Sequence, residues 1–84
     1  MYFVYVLLNR EGIAYTGSTP DVETRLAKHN AGKGAKFTKG RGPWRVIHVE
    51  EFDAKGPALS RESAIKKDRK FKAALKARNA RASR

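Results

Sequence analysis

The sequence of 84 residues contains no cysteine. This absence excludes a disulfide framework, a thiolate zinc site and a cysteine nucleophile. Long apolar runs are also missing, because the longest, residues 3–8, falls far short of the roughly 18 residues that a membrane-spanning helix needs. No cationic stretch precedes that run as it does in a signal peptide. We therefore expect a soluble, cytoplasmic protein.

Acidic residues are scarce, with 8 Asp and Glu against 19 Lys and Arg, which gives a net charge of +11 at pH 7. Such a charge makes a polyanion the default partner, either a nucleic acid or an anionic membrane. Most of the basic residues lie after residue 54, where only Glu62 and Asp68 are acidic. A membrane is disfavoured because these basic segments lack a broad face of Trp, Phe or Leu. Nucleic acid is therefore the predicted partner.

Hydrophobic periodicity, with glycine and proline as punctuation, predicts a small number of elements. Strands are predicted over residues 2–8, 13–16 and 44–52. A first helix is predicted over about 20–31, and an exposed basic loop over 31–43. A second helix runs from 56 to about 70, and it either continues or bends and restarts through 71–78. Thr19 is the predicted N-cap of the first helix, and Gly32 its end.

The order β-β-α-β-α(-α) predicts an α/β fold, a small sandwich in which a three-stranded sheet is flanked by helices. Simple alternation along the third strand places Trp44, Val46 and Phe52 on one side and Ile47 and Val49 on the other. The aromatic residues of the first strand are expected to supply much of the core.

Three polar residues fit a simple core badly. Arg25 and His29 share the edge of the buried stripe of the first helix. Glu62 projects from the middle of the inward arc of the next helix, an arc that also includes Leu59. A buried carboxylate is costly unless a cation or a metal meets it. The structural alternative is an internal ion pair between Glu62 and either Arg25 or Arg61.

These residues resemble the GIY-YIG endonuclease superfamily. Tyr5 in the first strand, and residues 15–17 (Tyr-Thr-Gly) about ten residues later, look like its two short motifs. Arg25 and His29 on the following helix, and Glu62 on the next, sit where that family carries its active-site residues. More narrowly, the chain is similar to the small single-domain bacterial members described as YhbQ-like or UPF0213 proteins, which are uncharacterised.

The resemblance implies metal-dependent hydrolysis of phosphodiester bonds in DNA, selective for structure rather than sequence, with a role in DNA repair or recombination. It also implies a nuclease-like domain over residues 1–70, followed by a basic C-terminal helix or tail over 71–84. The final ten residues are equally compatible with a solvated tail. Targeting would come from a protein partner, and no organic cofactor is implied.

The resemblance assigns a role to each matched residue. Tyr15 would be the general base, aided by neighbouring positive charge, and Tyr5 would position the attacking water or the scissile phosphate. Arg25 would pair with phosphate oxygens, and His29 would bind phosphate or assist proton transfer. Glu62 would be the sole protein ligand of one Mg²⁺ or Mn²⁺, weakly held without substrate. The five side chains should converge on one open concave surface.

Nucleic-acid contacts are predicted for the basic loop and for exposed lysines of the helices. The predicted residues are Lys28, Lys33, Lys36, Phe37, Lys39, Arg41, Lys66 and Lys67. Phe37 either stacks on an unpaired base or anchors the loop to the body of the protein. The competing function is a non-catalytic module that keeps the nuclease fold and binds DNA or RNA.

Overall fold

The computed structural model describes residues 1–82, and within them three strands and three helices follow the predicted order. The elements are β1 Tyr2–Leu8, β2 Ala14–Thr19, α1 Val22–Asn30, β3 Arg45–Phe52, α2 Lys55–Lys67 and α3 Arg69–Ala82. The strands form one antiparallel sheet with β1 in the centre, in the order β2-β1-β3. The predicted α/β fold is confirmed. Over the same residues, no helix has the length and apolar character that crossing a bilayer requires.

The β1–β2 hairpin is fixed by its turn. The side-chain oxygen of Asn9 accepts hydrogen bonds from the backbone N–H groups of Glu11 and Ile13, at 3.0 and 2.9 Å. Gly12 adopts a φ of 82°, which glycine takes at little cost. β2 extends to Thr19, three residues beyond the predicted end, because its polar second half still pairs with β1 although it has no apolar alternation.

Helix α1 begins two residues later than predicted. Asp21 is its N-cap, and the carboxylate accepts a hydrogen bond from the backbone N–H of Thr24 at 3.1 Å. The predicted cap, Thr19, instead accepts from the backbone N–H of Asp21 at 3.1 Å and so supports the turn into the helix. The predicted stop is correct, because Gly32 follows the helix with a φ of 79°.

A bulge in β3 changes which of its residues face which layer. The β1–β3 register shifts between Val6 and Leu7, and Ile47 is the extra residue. Beyond the bulge the alternation inverts. Phe52 therefore packs with Ile47 against the cluster that contains Val6, whereas Val46 packs on the opposite face. The predicted grouping of Phe52 with Val46 is wrong.

The two faces of the sheet carry different cores. The face covered by α2 and α3, called the α2/α3 face below, buries Val4, Val6, Ala58, Ile65 and Leu75. The other face, called the α1 face, is covered by α1 and the basic loop, and it buries Tyr5, Leu7 and Trp44 with half-buried Ile13, Tyr15, Val22, Leu26 and Val46 around them. Alternate residues of β1 thus point into two separate clusters.

The C-terminal helical segment bends and restarts, as one of the two alternatives predicted. Asp68 separates α2 from α3, and its carboxylate accepts a hydrogen bond from the backbone N–H of Phe71 at 2.9 Å. Leu75 is 1% exposed and belongs to the core, so α3 packs on the sheet at least to that residue. Leu59 lies outside the predicted inward arc, at 46% exposed. Residues 83–84 of the predicted tail lie outside the described residues, and the domain division after residue 70 stays a prediction.

Candidate active site

A chain of hydrogen bonds is buried on the α1 face, between the sheet and the segments that cover it. The hydroxyl of Tyr5 lies 2.9 Å from Nε2 of His29, whose Nδ1 lies 2.8 Å from the hydroxyl oxygen of Thr38. The Thr38 hydroxyl donates its only hydrogen to the carbonyl of Ala35 at 3.1 Å, so towards His29 it accepts. His29 therefore carries its proton on Nδ1, and its Nε2 accepts from Tyr5.

The electrostatics of the two buried rings agree with this direction. Burial raises the pKa of Tyr5 to about 12, and the neighbouring guanidinium of Arg25 only partly opposes the rise. Burial, and then the positive charge of Arg25, lower the pKa of His29 below its ordinary value of 6.5. At neutral pH Tyr5 keeps its proton and His29 is neutral, as the hydrogen-bond chain requires.

Tyr15 lies at the open side of this chain. Its ring centroid is 5.0 Å from that of His29 and 6.5 Å from that of Tyr5. Phe37 of the basic loop stacks on Tyr15 at 5.9 Å, and the guanidinium carbon of Arg41 lies 5.1 Å from the Phe37 ring centre. Phe37 therefore anchors the loop to the body, while its ring remains 47% exposed.

Arg25 contributes the least satisfied polar group of the site. The side chain is half-buried on α1, and its Nε is fully buried without a hydrogen-bond partner among the described residues. A buried donor without an acceptor costs free energy, and most such groups in native proteins are paired. The Nε atom of Arg25 therefore lacks an acceptor, although the same guanidinium interacts with the Tyr5 hydroxyl.

Gly17 lets the Tyr5 side chain lie against the edge strand. The two residues are direct partners across β1 and β2. A Cβ atom at position 17 would overlap the Tyr5 hydroxyl and would lie 2.7 Å from its ring carbon Cζ and 3.2 Å from the Tyr15 ring. The glycine of the second motif is thus required by the tyrosine of the first motif, for steric reasons.

Glu62 approaches the same edge strand from the α2/α3 face. One carboxylate oxygen accepts from the hydroxyl of Ser18 at 2.7 Å, and the other lies 2.9 Å from Nζ of Lys66. Arg61 binds Glu50 through two hydrogen bonds of 2.8 and 3.0 Å. Over the described part of the chain, the predicted alternative of an ion pair from Glu62 to Arg25 or Arg61 is therefore not found.

A cavity of about 330 Å³ follows the edge of β2. It is lined by Ala14, Tyr15, Thr16, Phe37, Lys66 and Lys72. Tyr15 reaches it directly, and Glu62 adjoins it through its ion pair with Lys66. Tyr5 and His29 are each 1% exposed and lie beneath this surface. Of the five predicted residues, Tyr15 is the one that lines this cavity. The prediction that all five side chains reach one open surface is wrong for the buried Tyr5 and His29.

The carboxylate of Glu62 suits a divalent cation held by a single protein ligand. Among residues 1–82 no three His, Cys, Asp or Glu side chains come together in a metal-binding group. Glu62 offers hard oxygen atoms and is 16% exposed, so solvent and phosphate can supply the remaining ligands that Mg²⁺ or Mn²⁺ prefers. Lys66 would have to give up one of those oxygens.

The predicted nucleic-acid contacts all lie at the surface. Exposed cations are Lys28, Lys33, Lys36, Lys39, Arg41, Lys66 and Lys67.

Two residues of the site were not predicted from the sequence. Thr38 is a fully buried threonine in an irregular loop, where no period marks burial. Lys72 reaches the cavity only because the chain bends at Asp68, and its Nζ donates to the carbonyl of Lys66 at 2.8 Å.

Comparison with known proteins matches residues 1–76 to the family described as the GIY-YIG catalytic domain. A UPF0213 protein of Halobacterium salinarum is 52% identical over 66 residues, which cover 79% of this chain and 86% of the relative. A UPF0213 protein of Staphylococcus saprophyticus is 45% identical over 65 residues, which cover 77% of this chain and 79% of the relative.

Two structures solved by NMR in solution share the fold. The UPF0213 protein of Bacillus halodurans is 43% identical with a TM-score of 0.54, and the match covers 89% of this chain and 82% of that one. A protein of E. faecalis is 36% identical with a TM-score of 0.58, covering 94% of this chain and 86% of that one. The predicted family and fold are confirmed: the chain belongs to the GIY-YIG family and is similar over most of its length to UPF0213 proteins.

Proposed function

We propose that the chain is an endonuclease that hydrolyses phosphodiester bonds in DNA with the help of one divalent metal ion. The observation that carries this proposal is the buried Nε of Arg25, which has no partner beside the Tyr5 phenol. Phosphate oxygens are acceptors that match a guanidinium in charge and geometry. A phosphate bound at the strand edge would satisfy this donor.

The aromatic residues would handle the protons of the attacking water. Tyr15, the most accessible of the three clustered rings Tyr5, Tyr15 and His29, is the proposed general base: it would act as the phenolate, and the proton of the water would pass to its phenol oxygen. Tyr5 stays protonated and donates to His29, and its oxygen, which also interacts with the Arg25 guanidinium, would accept a hydrogen bond from the water. Neutral His29 accepts the Tyr5 hydrogen bond through Nε2 while Thr38 accepts its Nδ1–H, so these contacts would hold the phenol in place for the water.

The phosphate would lie between Arg25 and Glu62. Arg25 would stabilise the negative charge that grows on the non-bridging oxygens in the transition state. Glu62 would hold Mg²⁺ or Mn²⁺, and a bound cation supplies charge neutralisation at the phosphate and the leaving oxygen. Lys66 would then move from the Glu62 carboxylate towards the DNA backbone, a change that its 53% exposed side chain allows.

Substrate binding would be mainly electrostatic. The basic loop and the lysines around the cavity offer cations to phosphates and few groups that could read base edges. Affinity should therefore fall steeply with added salt and depend on DNA structure more than on sequence. A role in DNA repair or recombination, with a protein partner that supplies targeting, belongs to the same proposal.

One observation favours a second candidate, a non-catalytic module that binds DNA or RNA. Both carboxylate oxygens of Glu62 already have protein partners, Ser18 and Lys66. A carboxylate that serves only to join α2 to β2 would show the same contacts. In that case the basic surface would bind nucleic acid without cleaving it.

A cleavage assay separates the two candidates. The protein is incubated with single-stranded, nicked, branched and duplex DNA in Mg²⁺ or Mn²⁺, and with chelator as a blank. We expect Arg25→Ala and Glu62→Gln each to lower the rate by about a hundredfold or more. Arg69→Ala and Glu51→Gln, at exposed positions of the same charge, should leave the rate unchanged.

The outcome also decides which proposal stands. Cleavage that requires metal, Arg25 and Glu62 supports the endonuclease. Cleavage that survives Glu62→Gln would indicate a contaminating nuclease or another metal site. If every DNA substrate stays intact while DNA or RNA still binds in a salt-dependent way, the endonuclease proposal is wrong and the binding module replaces it.

A further inference from the structure

A second and larger cavity lies at the end of the sheet where β1 finishes and β3 begins. Its volume is about 510 Å³, within the range of sites that bind small organic molecules. It is lined by Leu8, Asn9, Arg10, Gly12, Pro43, Trp44, Arg45 and Lys76, none of which is acidic. None of these residues belongs to the candidate active site.

The floor of this cavity is apolar and well supported. Leu8 and Trp44 are 5% and 3% exposed, and the indole N–H of Trp44 donates to the carbonyl of Thr38 at 3.1 Å. Asn9 forms part of the wall, and its amide donates to the carbonyl of Arg41 at 2.9 Å. The turn after β1 and the basic loop are therefore joined by a hydrogen bond at this wall of the cavity.

The rim of the cavity is cationic. Arg10 is exposed and Lys76 is half-buried, while Arg45 donates to the carbonyl of Asn79 at 3.2 Å. An apolar floor beneath a positive rim suits a ligand with a flat apolar part and an attached anion. The base and phosphate of a nucleotide combine these properties, because the base gains by burial and the phosphate by charge.

This cavity adjoins the one at the candidate active site. Leu8, on its floor, is the cross-strand partner of Ala14, which lines the cavity beside Tyr15. Lys76, on its rim, lies one helical turn beyond Lys72, which lines that same first cavity. A single nucleic-acid strand leaving Tyr15 would therefore meet successive cations of α3 and then the second cavity.

We propose that the second cavity is a binding subsite for a nucleotide next to the phosphate that is held at the candidate active site. The base lies against Leu8 and Trp44, and Arg10 and Lys76 hold an adjacent phosphate. Occupation of this subsite requires the flanking base to be unstacked from its neighbours. The inference rests on the proposed function only in taking a nucleic-acid strand as the ligand.

Trp44 allows a direct test, because it is the one tryptophan of the chain. The full-length protein in chelator is titrated with a short oligothymidylate and with an abasic deoxyribose phosphate chain of the same length. Both probes carry the same charge, and only the first carries bases. We expect the oligothymidylate to change the Trp44 emission and to bind about tenfold more tightly.

Substitutions at the rim of the second cavity test whether the preference for the oligothymidylate arises there. Lys76→Ala and Arg10→Ala should each reduce the affinity for the oligothymidylate and reduce its preference over the abasic chain. Lys70→Ala, an exposed lysine of the same helix that lines neither cavity, should lower the affinity for both probes equally and only slightly. Equal affinity for the two probes in the unmodified protein, or a preference unchanged in both cavity variants, would overturn the subsite.

Cleavage measured in parallel with Mg²⁺ or Mn²⁺ keeps the two proposals apart. Cleavage without a base-dependent response of Trp44 would refute the subsite and leave the endonuclease standing. A base-dependent response that Lys76→Ala abolishes, in a protein that cleaves no substrate, would support the subsite on the binding module and refute the endonuclease.

Discussion

The two faces of the sheet, although built on the same central strand, differ in what they bury. Val4 and Val6 point to the α2/α3 face, where they belong to an apolar cluster and where Thr16, the partner of Val6 across the sheet, is the buried polar neighbour. Tyr5 points to the α1 face, where His29 and Thr38 are also buried. One face supplies stability through apolar packing. The other accepts polar burial, which is tolerated only where hydrogen bonds compensate it.

The polar groups of the α1 face are compensated to different degrees. Tyr5, His29 and Thr38 satisfy one another in a single chain that ends on the Ala35 carbonyl. Arg25, beside them, has a buried nitrogen without a partner. The α1 face therefore combines a satisfied chain of buried polar groups with one unsatisfied donor, whereas the buried cluster of the α2/α3 face contains no such donor among the described residues.

Removing a core side chain from the α2/α3 face should give the largest loss of stability. Leu75 is 1% exposed and packs in the main apolar cluster, so Leu75→Ala should lower the free energy of unfolding by about 2–5 kcal/mol. Leu59→Ala, at a position 46% exposed, should cost less than about 1 kcal/mol. Urea denaturation measures both. Equal losses would mean that α3 does not contribute to the core.

A methyl group at Gly17 should disturb the α1 face without touching the apolar core. The added Cβ would overlap the Tyr5 hydroxyl, so Gly17→Ala should cost about 1–3 kcal/mol and move the phenol from its place under β2. Adding Tyr5→Phe removes the overlapped oxygen, and the double variant should recover part of the loss. A double-mutant cycle measured by urea denaturation tests this coupling. Strictly additive losses would contradict it.

Local signals were enough for the elements but not for their pairing. The apolar run of β1 gave its bounds, Tyr2–Leu8, without error. The predicted cap of α1 was Thr19, whereas Asp21 caps the helix, because the position of the cap depends on a backbone path that neither residue encodes alone. The bulge at Ile47 is a property of two strands together, so the side on which Phe52 packs could not be read from β3.

In the candidate site too, residue types could be predicted from the sequence, whereas contacts that depend on the tertiary structure could not. The motif residues Tyr5 and His29 could be identified by resemblance, because type and spacing mark them. Their mutual hydrogen bond depends on how α1 crosses the sheet. Thr38 lies in a loop without period, and its role is set by which atoms it meets. Residue types were therefore predictable, whereas partners, protonation and burial were not.

Substitutions of Thr38 provide a finer test of the α1 face. Serine keeps the hydroxyl group of Thr38, whereas valine keeps its volume and removes the hydroxyl. Thr38→Val should leave the Nδ1–H of His29 without an acceptor, at a cost of about 1–3 kcal/mol, and shift the ring proton towards Nε2. Thr38→Ser should keep the tautomer. NMR of the histidine ring nitrogens reports the tautomer directly, and an unchanged spectrum in Thr38→Val would contradict the assignment. Any cleavage activity should be kept in Thr38→Ser and lowered in Thr38→Val, in line with the His29 tautomer and not with the free energy of unfolding.

The two faces should also lose stability in different pH ranges, and this is the smallest effect expected. On the α1 face, burial and Arg25 lower the pKa of His29 in the folded protein below 6.5. The unfolded chain then binds the proton more readily, so the stability from neutral His29 is complete above pH 6.5 and declines as the pH falls below it. The slope is at most about 1.4 kcal/mol per pH unit, the limit for one proton.

On the α2/α3 face, the hydrogen bonds from Arg61 lower the pKa of Glu50 below 4.5. The stability from that carboxylate is complete above pH 4.5 and is lost at lower pH. Thermal unfolding from pH 8 to pH 3 should therefore show two steps, the upper absent in His29→Gln and the lower smaller in Glu50→Gln. Part of the lower step should remain in Glu50→Gln, because hydrogen bonds from Thr24 also lower the pKa of Asp21. His48 contacts Glu50 at 2.7 Å, so His48→Gln is the control. If the upper step vanishes in His48→Gln and persists in His29→Gln, the loss of stability between pH 8 and the lower step arises on the α2/α3 face. That result would contradict a neutral, buried His29.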